Sequence, residues 1–309
     1  MKDILYSSTD ARQSPMWGDY LSKIGWKIEW VENIQIFIRP LPFLPFSIIK
    51  IQHPLPPIPF KKIDQIAKKN KALATILEPH NFKFAEKSFL DNGYSISKLR
   101  FAHTATTKID LTKPEKEIFK DFSENAKRNI RKAQENLLVK NYFLKEIKNF
   151  EEVFLQFFAL FSSMQKIKKI MLPGKTEQSK RLKAFAKNSF ILFAYLKKSN
   201  GPIAALWIFF YKDVAYYMQT GTSELGYKLM ANYLLTLEAI KQSKKLKLKV
   251  FDFEAIYDPR YKSDHKSWIK FSEFKKRFHG QIIEYPPSYI KFYNPFFKLF
   301  YLCMTYFSK

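Results

Sequence analysis

Between residues 190 and 255 the chain reads as three strands, a helix and a fourth strand, and that order leaves few folds open. FILFAYLKK (190–198), IAALWIFFY (203–211) and VAYYMQTGT (214–222) are rich in β-branched and aromatic residues and are separated by short polar turns, the pattern of an antiparallel meander. In YKLMANYLLTLEAIKQSKK, Leu229, Tyr233, Leu234, Leu237 and Ile240 recur at helical spacing. KVFDFEA (249–255) then returns as an apolar strand ending on acids. A strand that comes back after a helical crossover can lie parallel to its predecessor, so the fold class is α+β, with mixed sheets flanked by helices.

The first half repeats the order. KIEWV (27–31), IQIFIR (34–39) and SIIKIQ (47–52) read as strands, KKIDQIAKKNK (61–71) as a helix, and ALATILEP (72–79) as an apolar strand ending at Glu78. No repeat is visible residue by residue, so duplication follows from element order alone. Between the halves, PEKEIFKDFSENAKRNIRKAQEN (114–136) predicts one long helix: Pro114 suits its first turn, acids lead, and basic residues crowd the later turns. Its apolar stripe is Ile118, Phe122, Ala126, Ile130 and Ala133. Seven of the 16 prolines fall between Pro40 and Pro59, which predicts a semi-rigid surface loop over much of that stretch.

Aromatic residues make up 17% of the 309 positions, which excludes a disordered chain. Lys and Arg number 53 against 28 Asp and Glu; the resulting charge of +25 suits a polyanionic partner, either phosphate-bearing or an anionic membrane surface. Lysine enrichment without function is the alternative. Cys303 is the only cysteine, so neither an intramolecular disulfide nor a cysteine metal cage can form. His53, His80, His103, His265 and His279 lack the paired spacing of zinc sites, and neither metal nor cofactor is expected. MKDILYSSTDARQ has no signal-peptide core and no window has the length of a membrane span, so a cytoplasmic monomer is expected, with the inner membrane face as an extension of that.

A set of ordered motifs then narrows the reading. RQSPMWGDYLSKIGW (12–26), ATILEP (74–79), TTKIDLTKPEKEI (106–118) and NAKRNIRKAQEN (125–136) are followed by PIAALWIFF (202–210), YYMQTGTS (216–223), VFDFEA (250–255) and FSEFKKRFHG (271–280). Together they resemble the FemABX family of peptidoglycan interpeptide-bridge aminoacyltransferases over nearly the whole chain. The resemblance implies two acetyltransferase-like domains: residues 1–105 completed by a C-terminal helix at 290–309, and residues 106–289. No stretch sustains three heptads, so the chain resembles members without a coiled-coil arm. The implied activity moves an amino acid from aminoacyl-tRNA to an amine of a peptidoglycan precursor, nucleotide-linked or lipid-linked. An acyl-CoA-dependent N-acyltransferase and a noncatalytic RNA-binding protein are the rivals.

The resemblance also assigns residues. Lys275, after Phe274, aligns with a lysine near the reacting ester and is the expected oxyanion stabiliser. Glu78 is the second catalytic candidate, as a carboxylate that binds or deprotonates the attacking amine. Asp252 and Glu254 occupy the equivalent place in the second half; read as pointing to opposite faces of their strand, one of them is expected at the cleft. Tyr217 falls on the strand of the acceptor-contacting tyrosines, although Gln219 stands where a second aromatic is common. Arg128 and Arg131, three apart on one helical face, either grip phosphates or neutralise the helix C-terminal half. YIKFYNPFFKLFYLCMTYFSK (289–309) is expected to pack as a structural helix across the first domain, or alternatively to lie on a membrane surface.

Overall fold

The computed structural model describes residues 5, 10–81, 86–171, 173–198, 201–261 and 266–307. In chain order these form α1 (Pro15–Lys23), β1 (Lys27–Val31), β2 (Ile34–Pro40), β3 (Ser47–Gln52), α2 (Phe60–Lys69), β4 (Ala72–Glu78), α3 (Glu86–Asp91), β5 (Ser95–Ile96) and β6 (Ala105–Asp110). There follow α4 (Glu115–Asp121), α5 (Glu124–Asn136), β7 (Leu137–Phe143), α6 (Phe150–Lys168), α7 (Lys175–Phe185), β8 (Ser189–Leu196), β9 (Pro202–Tyr211) and β10 (Val214–Thr222). The chain closes with α8 (Glu224–Lys228), α9 (Ala231–Lys245), β11 (Val250–Ala255), α10 (Ile269–Lys276), β12 (Gln281–Glu284), β13 (Tyr289–Phe292) and α11 (Pro295–Phe307).

Two compact units result. Of the described residues, the central unit holds those of 105–283 with Leu5, and the terminal unit those of 10–104 with 284–307. The terminal sheet has the order β1-β2-β3-β4-β13-β5, and the central sheet the order β12-β6-β11-β10-β9-β8-β7. Each contains the predicted meander, crossover helix and parallel return: β3 with β4 in one, β10 with β11 in the other. The return strand of the terminal unit, ALATILE, is buried at every position, which is why its pattern is continuous rather than alternating. In the central unit the apolar faces of α5 and α9 cover the sheet, with Ala126, Ile130, Ala133, Leu234, Leu237 and Ile240 in one core.

The single helix expected over 114–136 is two helices. Phe122 is extended (φ −61°, ψ 145°), Ser123 accepts from the Ala126 amide at 3.2 Å as N-cap of α5, and its own amide donates to the Arg277 carbonyl at 2.9 Å. The apolar stripe continues across the break because Ile118, Phe122 and Ala126 are all buried, so periodicity alone hid it. Ser123→Ala should cost about 1 kcal/mol of stability, read as a lowered thermal midpoint. The helix expected over 227–245 is likewise broken, at Met230, whose φ of +58° is left-handed.

The C-terminal segment begins as strand β13, inserted between β4 and β5, before α11 starts. Phe297 and Tyr301 pack α11 onto Ala74, Ile76 and Ile290, and the Tyr301 hydroxyl accepts from the amides of Lys98 and Leu99. The opposite face of this helix is exposed. Among the described residues no helix is long and apolar enough to cross a membrane.

Candidate functional site

The central sheet opens at one place. β10 and β11 pair only at Val214↔Val250, Ala215↔Phe251 and Tyr216↔Asp252, although β10 runs on to Thr222 and β11 to Ala255. Both strands carry an irregularity just beyond: β10 slips against β9 between Tyr217 and Gln219, and β11 slips against β6 between Asp252 and Ala255. Bulges bend a strand and sharpen its twist, so the parallel pair parts at its carboxyl end. In open sheets that end is where ligands bind.

Around this gap the structure gathers five of the eight residues singled out from the sequence. The Lys275 side chain, carried by α10, is buried, and its ammonium donates to the Ala255 carbonyl at 2.8 Å. It lies 4.8 Å from the Phe271 ring centroid and 5.6 Å from that of Tyr217, both within cation–π range. Burial disfavours the charged form and lowers the Lys275 pKa to about 8, while Glu254 and Asp252 pull it upward. Tyr217 stacks on Phe253 at 5.7 Å, and burial pushes its phenol above the ordinary value. Phe274 packs edge-on to Tyr233 at 4.9 Å, and the Tyr233 hydroxyl accepts from the Arg277 guanidinium.

The two acids of VFDFEA have different tasks. Asp252 is buried, and its carboxylate accepts from the Thr106 hydroxyl at 2.5 Å and the Glu254 amide at 2.7 Å, with the Lys108 ammonium at 3.4 Å. These contacts hold Glu254 in a left-handed conformation, φ +60°, rare for a residue with a Cβ. Asp252 thus supports the bulge, and Glu254 beside it is half-buried, close enough to Lys275 to favour its charged form. Thr106, Lys108 and Phe271 were not singled out from the sequence. The signal for Lys108 was present: a lysine in the middle of a short strand that has to be buried needs an acid.

Arg128 and Arg131 lie exposed on α5, opposite its buried Ala126, Ile130 and Ala133. Glu78 belongs to the terminal unit. Its carboxylate is buried, and the nearest cation is Lys50 at 3.4 Å, which also donates to the Phe101 carbonyl at 2.7 Å. Unlike β10 and β11, β3 and β4 stay paired to their ends, at Gln52↔Glu78.

Just past those strand ends the terminal unit collects His53 and His80, with Asp10 and Tyr285. The His53 Nδ1 is 2.9 Å from Asp10, its ring is 5.7 Å from that of His80, 5.9 Å from that of His103 and 4.5 Å from that of Tyr285. Three of the five histidines thus meet in space although their sequence spacing has no zinc-site pairing; His265 lies outside the described residues. Two histidines that each follow one strand of a parallel pair are neighbours whatever their separation in sequence. Ligand atoms of Asp10, His53 and His80 lie within 4.8 Å of one another, as a metal would require. The Arg12 guanidinium, however, donates to both Asp10 oxygens, at 2.9 and 3.1 Å, so the carboxylate already has a cation.

Burial opposes ionisation of Asp10, yet Arg12, His53 and His80 outweigh it and hold the carboxyl well below the usual range. A carboxyl whose folded pKa is depressed stabilises the fold above its unfolded value, about 3.9, and that contribution is lost as pH falls through the folded value. Asp10→Asn should therefore lower stability at pH 7 by about 2 kcal/mol and flatten the acid limb of the stability profile, measured by denaturant unfolding across pH.

Residues 120–263 match the acetyltransferase (GNAT) domain family, a little under half of the chain. No curated protein matches in sequence. Among solved structures, FemX superposes with a TM-score of 0.78 at 14% identity, covering 97% of each chain. The C-terminal domain of a protein named as a lysylphosphatidylglycerol synthetase in Agrobacterium fabrum gives 0.63 at 13% identity, over 98% of this chain and 93% of that one. L-PGS from Bacillus licheniformis gives 0.63 at 10% identity, over 93% and 89%. The motif resemblance is thus matched by the architecture: residues 120–263 match the acetyltransferase (GNAT) domain family, and the chain has a FemX-like fold.

Proposed function

We propose that the protein is an aminoacyltransferase that moves an amino acid from aminoacyl-tRNA to an amine of a peptidoglycan stem-peptide precursor, at the gap beside Lys275. The observation that carries this reading is a buried ammonium at the mouth of the only parted parallel pair among the described residues. In the reaction the acceptor nitrogen attacks the ester carbonyl carbon, the carbonyl oxygen takes the negative charge, and the tetrahedral intermediate collapses by releasing the tRNA ribose oxygen. The proton lost from the amine ends on that ribose oxygen. Lys275 spends one N–H on Ala255 and has two left to donate to the oxyanion. Tyr217 and Phe271 exclude water beside it, which strengthens the charge interaction. Glu254, half-buried at the bulge, is suited to hold the ammonium of the transferred amino acid or of the acceptor.

FemX and the lysylphosphatidylglycerol synthetases among the structural neighbours are consistent with an amino acid as the group moved. Against an acyl-CoA donor, the glycines of GTSELGYK serve packing. A Cβ at Gly221 would meet the Phe161 amide nitrogen at 2.5 Å, and one at Gly226 the Ile203 carbonyl oxygen at 2.5 Å. Neither glycine is left to form a pyrophosphate cradle.

Purified protein incubated with a pool of charged tRNAs and stem-peptide precursors should add one amino-acid mass to an acceptor. tRNA binding with no mass added to any acceptor would instead favour an RNA-binding protein. The net charge of +25 further predicts that tRNA affinity falls steeply between low and physiological salt, measured by filter binding, and that Arg128→Ala with Arg131→Ala weakens it without lowering the thermal midpoint.

A further inference from the structure

The terminal unit exposes apolar side chains on two separate elements at one end of its sheet. In α11, Phe296, Leu299 and Phe300 are 80, 62 and 61% exposed, and with exposed Cys303 they fall at i, i+3, i+4 and i+7, one continuous stripe. The loop between β2 and β3 exposes Phe43, Leu44 and Phe46, the first completely. The register puts both at the same edge. Pro40 pairs with Ser47 at the loop, Ile48 with Ala74 one step along, and Ala74 with Phe292, three residues before α11 begins. Ile48 and Phe297 then pack against the same core cluster.

Charge decides among the occupants. Exposed lysines flank this end: Lys298 lies on α11 itself, Lys98 donates its amide to the Tyr301 hydroxyl of that helix, and Lys71, whose carbonyl accepts from the Ser47 amide, stands beside the loop. A second copy of the chain would bring a like-charged surface, and another +25, against this one. An anionic bilayer offers the complement: apolar depth for the phenylalanines and leucines, and phosphates for the surrounding lysines. The thirteen residues of α11 span about 20 Å, too short for a ~30 Å hydrocarbon core, so the helix would lie in the interface rather than cross it.

We infer that this end of the terminal unit, the outer face of α11 with the Phe43–Phe46 loop, is a docking surface for anionic lipid bilayers. The inference does not rest on the transfer reaction, and vesicle binding needs neither donor nor acceptor, so each can fail alone. The test is co-sedimentation with phosphatidylcholine vesicles and with vesicles containing roughly one third phosphatidylglycerol, at physiological salt. Binding is expected to the anionic vesicles only. It should fall at least tenfold in Phe296→Ser/Phe300→Ser and again in Phe43→Ser/Leu44→Ser, with thermal midpoints unchanged because the side chains are exposed. The loop variant keeps the test informative if the helix variant unfolds. No binding to anionic vesicles overturns the inference, as does binding that neither variant weakens, which would report the overall charge alone. A concentration-dependent dimer abolished by the same variants, without vesicle binding, would assign the surface to a second copy.

Discussion

Lys275→Met is expected to lower turnover by about 100-fold or more, some 2.7 kcal/mol of transition-state stabilisation, while changing tRNA affinity little. The asymmetry is the point of the variant. Negative charge on the ester oxygen is larger in the transition state than in the bound ester, so a removed ammonium should be felt in kcat and not in donor binding. Methionine keeps most of the length and the apolar stem that lies against Tyr217 and Phe271. A lysine that merely belonged to a solvated basic run would do the reverse, costing some tRNA affinity and leaving turnover intact. The pH profile gives a second reading. Because the lysine must be charged and its pKa is about 8, transfer should be supported below that pH and decline as pH rises through it. Lys275→Arg keeps its charge beyond pH 12, so the decline near 8 should disappear in whatever activity remains. Near-normal turnover in a folded Lys275→Met protein would remove the catalytic assignment.

Asp252→Ala should destabilise the protein by about 3–5 kcal/mol, the cost of leaving a buried partner charge uncompensated. The carboxylate it deletes is shared by Lys108, the Thr106 hydroxyl and the Glu254 amide, and Lys108 is as deeply buried as Asp252. The Lys108 ammonium would keep its bond to the Leu5 carbonyl, 3.1 Å away, but a neutral acceptor does not cancel a buried charge. Asp252→Ala combined with Lys108→Met should therefore recover much of the loss, whereas two independent sites would add. Chemical denaturation of the two single variants and the double variant measures this directly. Additive losses would mean that the 3.4 Å pair does not couple and that the bulge is held by Thr106 and the backbone alone.

The fold was legible because each half writes its topology in the order of its elements. Three strands, a crossover helix and a parallel return leave little freedom, and both sheets follow. What the periodicity could not register was a break that preserves phase: Ser123 interrupts the helix while Phe122 and Ala126 remain on the buried face. At the site, Lys275, Phe274, Tyr217, Asp252 and Glu254 came from motif resemblance, but the division of labour between the two acids depends on a bulge. Residues two apart on a regular strand share a face, so the opposite-face expectation for these two acids is corrected: what separates their roles is the irregularity between Asp252 and Ala255. The histidine cluster was missed for the opposite reason. Spacing rules for metal sites look along the chain, whereas His53 and His80 meet sideways, across two paired strands that had already been identified.

The insertion of β13 between β4 and β5 has a consequence for how the molecule is made. Residues 10–104 leave the ribosome before the central segment, yet the strand that completes their sheet lies about 180 residues later, beyond that whole segment. At ordinary rates of synthesis that is a delay on the order of 10 to 40 s. Throughout it, one hydrogen-bonding edge of β4, the ALATILE strand that is buried at every position in the finished protein, has no neighbour. The nascent chain is thus most vulnerable to strand-pairing with other chains before Tyr289–Phe292 are translated. A chain cut short after residue 283 would make that transient condition permanent, and it should accumulate as aggregate rather than as a folded fragment.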